Sequence, residues 1–304
     1  MNIVTICLKT QIGISTVFRH GEKIGLWKFY FLDEVERSLD ADLCILGGWS
    51  KLYEPLLKDF NKVWVLWGSP LLQSEVSPPE LTYLKYVIEN PKIERVWCGD
   101  EDLTYVLGGK SLHLPYPIDV ETILKYKQEN IEREGLGLFM PSKPYKNIAT
   151  QLAAVKLLQN KMPNLILHTN VTGRYAKLAR WLKIKCKFYK WMPEPEYLRL
   201  LSSLRLTLYV TLSECFAYGA LTPMLLETPC LVSRVVEPRW NRPLCRELVV
   251  DNTDSPSEIA NKASIILDDE LWPSFSRLAR GVALEVAERN NRVLRERIKE
   301  LIEE

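Results

Sequence analysis

Histidine is scarce: the chain holds only His20, His113 and His168, which excludes chemistry built on several imidazoles. Cysteine is present but unorganised. The seven, at positions 7, 44, 98, 186, 215, 230 and 245, form no C-x-x-C pair and have no histidine at zinc spacing. They are expected to be reduced thiols, mostly buried. No apolar run approaches the ~20 residues that span a bilayer, and the opening MNIVTICLKTQIG is too short and too poorly flanked for a signal peptide. A cytoplasmic protein is the expectation. Charge of one sign is also lacking, with 40 Lys and Arg against 38 Asp and Glu; a net charge of +2 calls for no nucleic-acid partner. The sequence shows no internal repeat and no low-complexity tract.

What is there is an ordinary globular composition, 47% hydrophobic and 26% charged over 304 residues, enough for about two domains that each bury a core. Short apolar strands alternate with helices from the start. A strand over 2–8 runs into a loop, 9–16, around Gly13; a helix over 27–38 and a strand over 43–46 that stops at Gly47 and Gly48 follow. Next come a helix near 51–59, a strand at 62–67, a helix at 79–90, a strand at 95–98, a helix at 100–107 and a strand at 111–114. Such alternation implies a parallel sheet covered on both faces, and a strand feeding a glycine loop is how doubly wound domains begin. LPYPID, 114–119, reads as an extended, proline-stiffened connection, followed by a charged helix over 120–133. A second series opens with a strand at 136–140, the loop PSKPYKN at 141–147 and a helix over 148–158. A strand at 165–168, a basic helix at 174–182, a strand at 185–188 and a helix from about 195 continue it. A strand at 248–250 and helices over 257–267, 269–287 and from 289 to the end close the chain; their Arg and Glu at i, i+3 and i+4 read as a solvated face.

Residues 206–233, LTLYVTLSECFAYGALTPMLLETPCLVS, organise the rest. A strand carrying Leu206, Leu208, Val210 and Leu212 ends at Ser213 and Glu214; a helix with Ala220, Leu221, Met224 and Leu225 follows, then a buried strand from Cys230 to Val232. The first backbone N–H groups of that helix, from about Phe216 to Gly219, make a seat for phosphate. A carboxylate beside such a seat repels phosphate but accepts hydrogen bonds from sugar hydroxyls. Together they point to a nucleotide-sugar site.

SECFAYGALTPMLLETPCLVS resembles the donor-binding motif of the GT-B glycosyltransferases, in particular the retaining group 1 family (GT4), whose pattern is roughly E-G-F-G-L-x-x-x-E-A-x-x-x-G-x-P-V-V. Glu214, Phe216, Leu221, Met224, Pro229 and Val232 fall on matching or similar positions. Thr222 stands where that pattern has its second glutamate, Cys215 and Ala217 where it has glycines, and Glu227 where a glycine precedes the Thr-Pro pair. LPYPID resembles the family's P-N-G-V-D segment, and PSKPYKN its strand-to-helix loop. The resemblance implies two doubly wound, Rossmann-like α/β domains facing each other across a cleft. These are 1–130 for the acceptor, 131–280 for the nucleotide-sugar donor, and a last helix, 281–304, that crosses back to the first.

The resemblance also implies roles. Lys146 becomes the cation that stabilises the departing diphosphate, with Lys143 and Ser142 as weaker candidates and Asn147 as a helix N-cap. Glu214 takes the hydroxyls of the transferred sugar. Phe216, Ala217 and Tyr218 act through backbone N–H groups, Ala217 on condition that its φ stays negative. Thr222 offers one hydroxyl to a ribose that a carboxylate would hold by two. Gly13 joins the donor-binding set and His20 is a candidate to face the cleft, while Trp67 occupies the place where relatives carry a strand-end histidine. Trp49, Trp64 and Trp67 are expected in the core rather than along an acceptor cleft. The acidic trio Asp100, Glu101 and Asp102 reads as a helix start, and no metal or other cofactor is expected. The expected activity is transfer of a sugar from a nucleotide donor to a glycan, lipid or protein acceptor, with retention. A non-catalytic binder of sugar nucleotides or of a partner protein, and a nucleotide-sugar epimerase, stay open as alternatives, as does peripheral membrane contact.

Overall fold

The computed structural model describes residues 2–35, 39–68, 78–99, 101–129 and 131–303. Two compact units partition the chain: 1–119 with 287–304, and 120–286.

In the first unit, strands β1 (Ile3–Cys7), β2 (Lys28–Phe31), β3 (Leu43–Gly47), β4 (Val63–Trp67), β5 (Arg95–Cys98) and β6 (Ser111–His113) pair in parallel, in the order β2-β1-β3-β4-β5-β6. Apart from Thr5, the sequences IVTIC, LCILG and VWVLW hold no polar side chain, because β1, β3 and β4 are buried on both faces. Helices α1 (Ile12–Lys23), α2 (Pro78–Glu89) and α3 (Glu101–Leu107) supply crossovers between them. Trp49, Trp64 and Trp67 are buried in this core, as expected.

The structure corrects the reading at several points. The loop read over 9–16 is already α1 from Ile12, so Gly13 is an exposed first-turn helical residue. The helix read over 27–38 is instead the edge strand β2, whose side chains are only partly buried, and a short 3-10 turn, Leu32–Glu34; residues 36–38 lie outside the described residues, as does Asp100 of the acidic trio. Lys51–Lys58 is a 3-10 run, because Pro55 inside it removes a backbone donor.

In the second unit, β7 (Leu136–Leu138), β8 (Leu167–Thr169), β9 (Cys186–Phe188), β10 (Leu206–Tyr209), β11 (Cys230–Ser233) and β12 (Val249–Val250) form a parallel sheet in the order β12-β11-β10-β7-β8-β9. Counted from β7, this is the 3-2-1-4-5-6 order of dinucleotide-binding sheets. Helices α4 (Val120–Leu124), α5 (Ile148–Lys161), α6 (Gly173–Trp181), α7 (Glu194–Ser202), α8 (Tyr218–Leu225), α9 (Val236–Trp240) and α10 (Pro256–Ile266) accompany it. The charged helix read over 120–133 is only the five-residue α4. The two terminal helices read on either side of 288 are one, α11 (Trp272–Glu303), which belongs to the second unit through Val286 and to the first from Ala287. Among the described residues no helix is long and apolar enough to cross a membrane.

Candidate active site

A doubly wound sheet binds ligands outside the carboxyl ends of its strands where the strand order reverses. In the second unit that point lies between β7 and β10, which pair directly. Lys146 stands in the loop that leaves β7 and Glu214 in the loop that leaves β10. The two loops are tied together by the backbone N–H of Leu212 donating to the carbonyl of Tyr145 at 2.8 Å. Gln151, on the first turn of α5, reinforces the tie: its amide donates to the carbonyl of Lys146 at 2.8 Å and its Oε1 accepts from the N–H of Val210 at 3.0 Å.

Across this tie Lys146 and Glu214 form a buried ion pair through Nζ and Oε1. Tyr209, the last residue of β10, completes a triangle: its hydroxyl donates to Glu214 Oε1 at 2.9 Å and accepts from Lys146 Nζ at 3.1 Å. The ammonium also sits over the rings of Tyr209, at 5.0 Å, and Tyr145, at 5.4 Å. Burial first, and then the Glu214 charge beside it, holds the Tyr209 phenol well above the usual tyrosine pKa, so it serves as a neutral donor. A buried charge pair is tolerated only when its remaining hydrogen-bonding capacity is met, and Tyr209 meets part of it.

Helix α8 packs its start against this triangle. A Cβ at Gly219 would lie 2.5 Å from Cε2 of Tyr209, so only glycine lets the helix approach the ring so closely. The condition set for Ala217 fails: its φ is +67°, a left-handed conformation that an alanine holds at a cost of roughly 1–2 kcal/mol. Its carbonyl accepts from the N–H groups of Ala220 and Leu221, at 2.9 and 3.1 Å, which opens α8. Phe216 is buried, with its carbonyl accepting from the Trp240 indole at 2.6 Å. Thr222 is half-buried one turn beyond Gly219 on the same helix.

The remaining candidates lie at different distances from this centre. Ser142 is exposed, and its Oγ accepts from the backbone N–H of Thr172 at 3.3 Å; Lys143 is exposed with no ion-pair partner among the described residues. Asn147 occupies the N-cap position of α5 but does not cap it: with φ at +51° its side-chain amide reaches the carbonyl of Thr253 at 2.7 Å instead. His20 belongs to the other unit, buried in α1, where its Nδ1 accepts the N–H of Asp119 at 2.9 Å. Tyr209 and Gln151 are the residues that sequence reasoning missed. A polar-tipped aromatic at the end of a buried strand and an amide four residues beyond the motif's asparagine were the available signals.

No family model and no curated protein matches the sequence. Solved structures do match, over nearly the whole chain. A sucrose-phosphate synthase from Thermosynechococcus elongatus superimposes with a TM-score of 0.70 at 14% identity, covering 99% of each chain. A UDP-forming α,α-trehalose-phosphate synthase from Burkholderia xenovorans gives 0.67 at 9% identity, over 100% of this chain and 99% of that one. A trehalose-6-phosphate synthase studied for glycosyl transfer with retention gives 0.68 at 11%, over 100% and 99%. At these identities the likeness establishes the fold: the chain has the GT-B fold, an α/β architecture of two Rossmann-like domains, as its motifs led one to expect.

Proposed function

We propose that the chain is a glycosyltransferase that moves a sugar from a nucleotide-sugar donor to an acceptor, with retention and without a metal. The observation that carries this reading is the buried Lys146 and Glu214 pair at the switch point of a doubly wound sheet. In this reading the ammonium of Lys146 turns from Glu214 to the diphosphate as the C1–O bond to phosphate breaks, supplying fixed positive charge where negative charge grows. Glu214, released, accepts from the sugar hydroxyls while Tyr209 holds its other side. Phe216, Ala217 and Tyr218 lead phosphate to the start of α8, and Ser142, Lys143 and Thr222 complete the donor set within the second unit. The acceptor oxygen bonds to C1 on the face the phosphate leaves, and its proton passes to the departing phosphate, so no protein base is required. His20, occupied with Asp119, has no part in it. A cytoplasmic location accompanies this reading, in keeping with seven free cysteines.

A structural neighbour from E. coli is described as bound with UDP-2-fluoro glucose, and the Burkholderia neighbour as UDP-forming, so UDP-sugars are the first donors to try. The test is nucleotide release from UDP-, GDP- and ADP-sugars, with the anomeric proton of the product followed by NMR. Release with retention, abolished in Lys146→Ala and Glu214→Ala, is expected. Thr222 favours one second reading, a non-catalytic sugar-nucleotide binder; nucleotide binding with no release from any donor establishes that reading instead.

A further inference from the structure

We infer that the open edge of the second sheet, helix α6 with strand β9 and the residues that follow it, is a docking surface for an anionic lipid bilayer. No Asp or Glu stands between Glu134 and Glu194. Within that run Arg174, Lys177 and Arg180 lie three residues apart on α6, so they share one helix face. Lys183 and Lys185 lead into β9, and Lys187 and Lys190 lie on it and just past it. All seven are exposed, and none has an ion-pair partner among the described residues. Large aromatics are interleaved with them: Trp181 is 77% exposed and Trp191 82%, with Phe188 at 38%. Two bare indoles among unpaired cations are unusual on a water-facing surface. The elements packed beside the patch, α5 and β8, belong to the same acid-free run; the carboxylates nearest in sequence stand at its borders, Glu134 before β7, whose charge acts on His168 together with that of Lys187, and Glu194 and Glu196 in the first turn of α7.

Charge complementarity selects an anionic partner, and the aromatics decide which kind. Single-stranded nucleic acid stacks its bases on open ring faces, but here the guanidinium of Arg180 sits over the Phe188 ring at 5.4 Å and the ammonium of Lys187 over the Tyr189 ring at 5.4 Å. The rings left free are the projecting indoles, the side chain that favours the headgroup level of a membrane. Lysines and arginines around them match anionic headgroups. The strands are parallel, so Trp191, just past the carboxyl end of β9, lies on the same rim of the sheet as Lys146 past β7 and Glu214 past β10. The inference stands on surface charge and exposure alone and does not depend on the transferase reading.

Co-sedimentation of the full chain with vesicles of phosphatidylcholine, alone and mixed with phosphatidylglycerol, tests it, with a single-stranded RNA oligonucleotide as competitor. Binding to the mixed vesicles only, weakening as salt rises, is expected. The Lys183→Gln, Lys187→Gln, Lys190→Gln triple variant is expected to bind about 100-fold more weakly, at roughly fivefold per charge, and Trp181→Ser with Trp191→Ser to lose binding while keeping the wild-type melting temperature. Absence of vesicle binding, binding that both variants retain, or displacement from the vesicles by RNA overturns the inference. None of those outcomes touches nucleotide binding at Lys146, so the two readings fail separately.

Discussion

Ala217 and Glu227 hold left-handed backbone at the two ends of α8, and neither is glycine. At the carboxyl end the N–H of Glu227 reaches the carbonyl of Met224 at 3.1 Å and that of Thr228 the carbonyl of Pro223 at 2.9 Å, a Schellman closure that usually ends in glycine. Glu227 repays the strain with its side chain, which meets Lys127 at 2.8 Å, Arg280 at 2.8 Å and Arg133 at 4.0 Å. Burial alone would raise its pKa, but the Lys127 hydrogen bond and the three cations outweigh that and lower it. Ala217→Gly is therefore expected to stabilise the fold by about 0.5–1 kcal/mol in urea unfolding. Glu227→Gly relieves the same kind of strain yet is expected to cost about 2 kcal/mol, because Lys127, Arg280 and the half-buried Arg133 lose the carboxylate they share. His20 gives a pH signature. Burial lowers its pKa to about 4, with Lys23 adding to the effect and Asp119 opposing it. An unfolded histidine near 6.5 takes up a proton first. The contribution of His20 is thus whole above pH ~6.5 and is lost as pH falls towards 4, up to about 3 kcal/mol. Denaturation followed across that window should show the loss, and His20→Asn should flatten it.

At the scale of elements, the contact of α8 with β10 makes a sharp prediction. Gly219→Ala pushes a methyl group into the Tyr209 ring, moving the hydroxyl that joins Lys146 to Glu214; nucleotide affinity should fall although both charged residues remain. A calorimetric titration that finds unchanged affinity contradicts the role given to Tyr209. Gly281, in mid-helix in α11 with nothing within 4 Å of an added Cβ, offers the contrast: Gly281→Ala should stabilise by about 0.5–1 kcal/mol in thermal unfolding. These elements also mark what was legible. Strands buried on both faces announce themselves as unbroken apolar runs, and the resemblance of two separate segments, PSKPYKN for Lys146 and the α8 motif for Glu214, assigned both residues to one donor site. The edge strand KFYF, only partly buried, carries an aromatic run inside a longer mixed stretch, 27–38, whose apolar and charged residues read as helix. The break read near 288 lies next to Asn290 and Asn291, poor helix formers. In the structure Asn291 spends its side chain on both backbone groups of Ile118, at 2.8 Å each, and Asn290 is buried with its amide directed at the carbonyl of Tyr116. Tertiary partners thus carry the helix through.

At the scale of the molecule, strand order is what the sequence could not state and what the site depends on. Nothing in local pattern says that β10 returns to lie beside β7, since that pairing joins Leu206 and Thr207 to Leu136 and Gly137 across most of a domain. Once made, it sets the two loops side by side and brings a lysine and a glutamate, 68 residues apart in sequence, into one buried contact. The most direct measurement of the central claim is calorimetric titration of the wild-type chain, Lys146→Ala and Glu214→Ala with UDP, GDP, ADP and their sugars. The account predicts that one nucleotide family binds the wild type, that Lys146→Ala loses affinity for nucleotide and sugar nucleotide alike, and that Glu214→Ala loses the advantage of the sugar nucleotide over the bare nucleotide. Binding that neither substitution changes, or no binding at millimolar concentration, contradicts it.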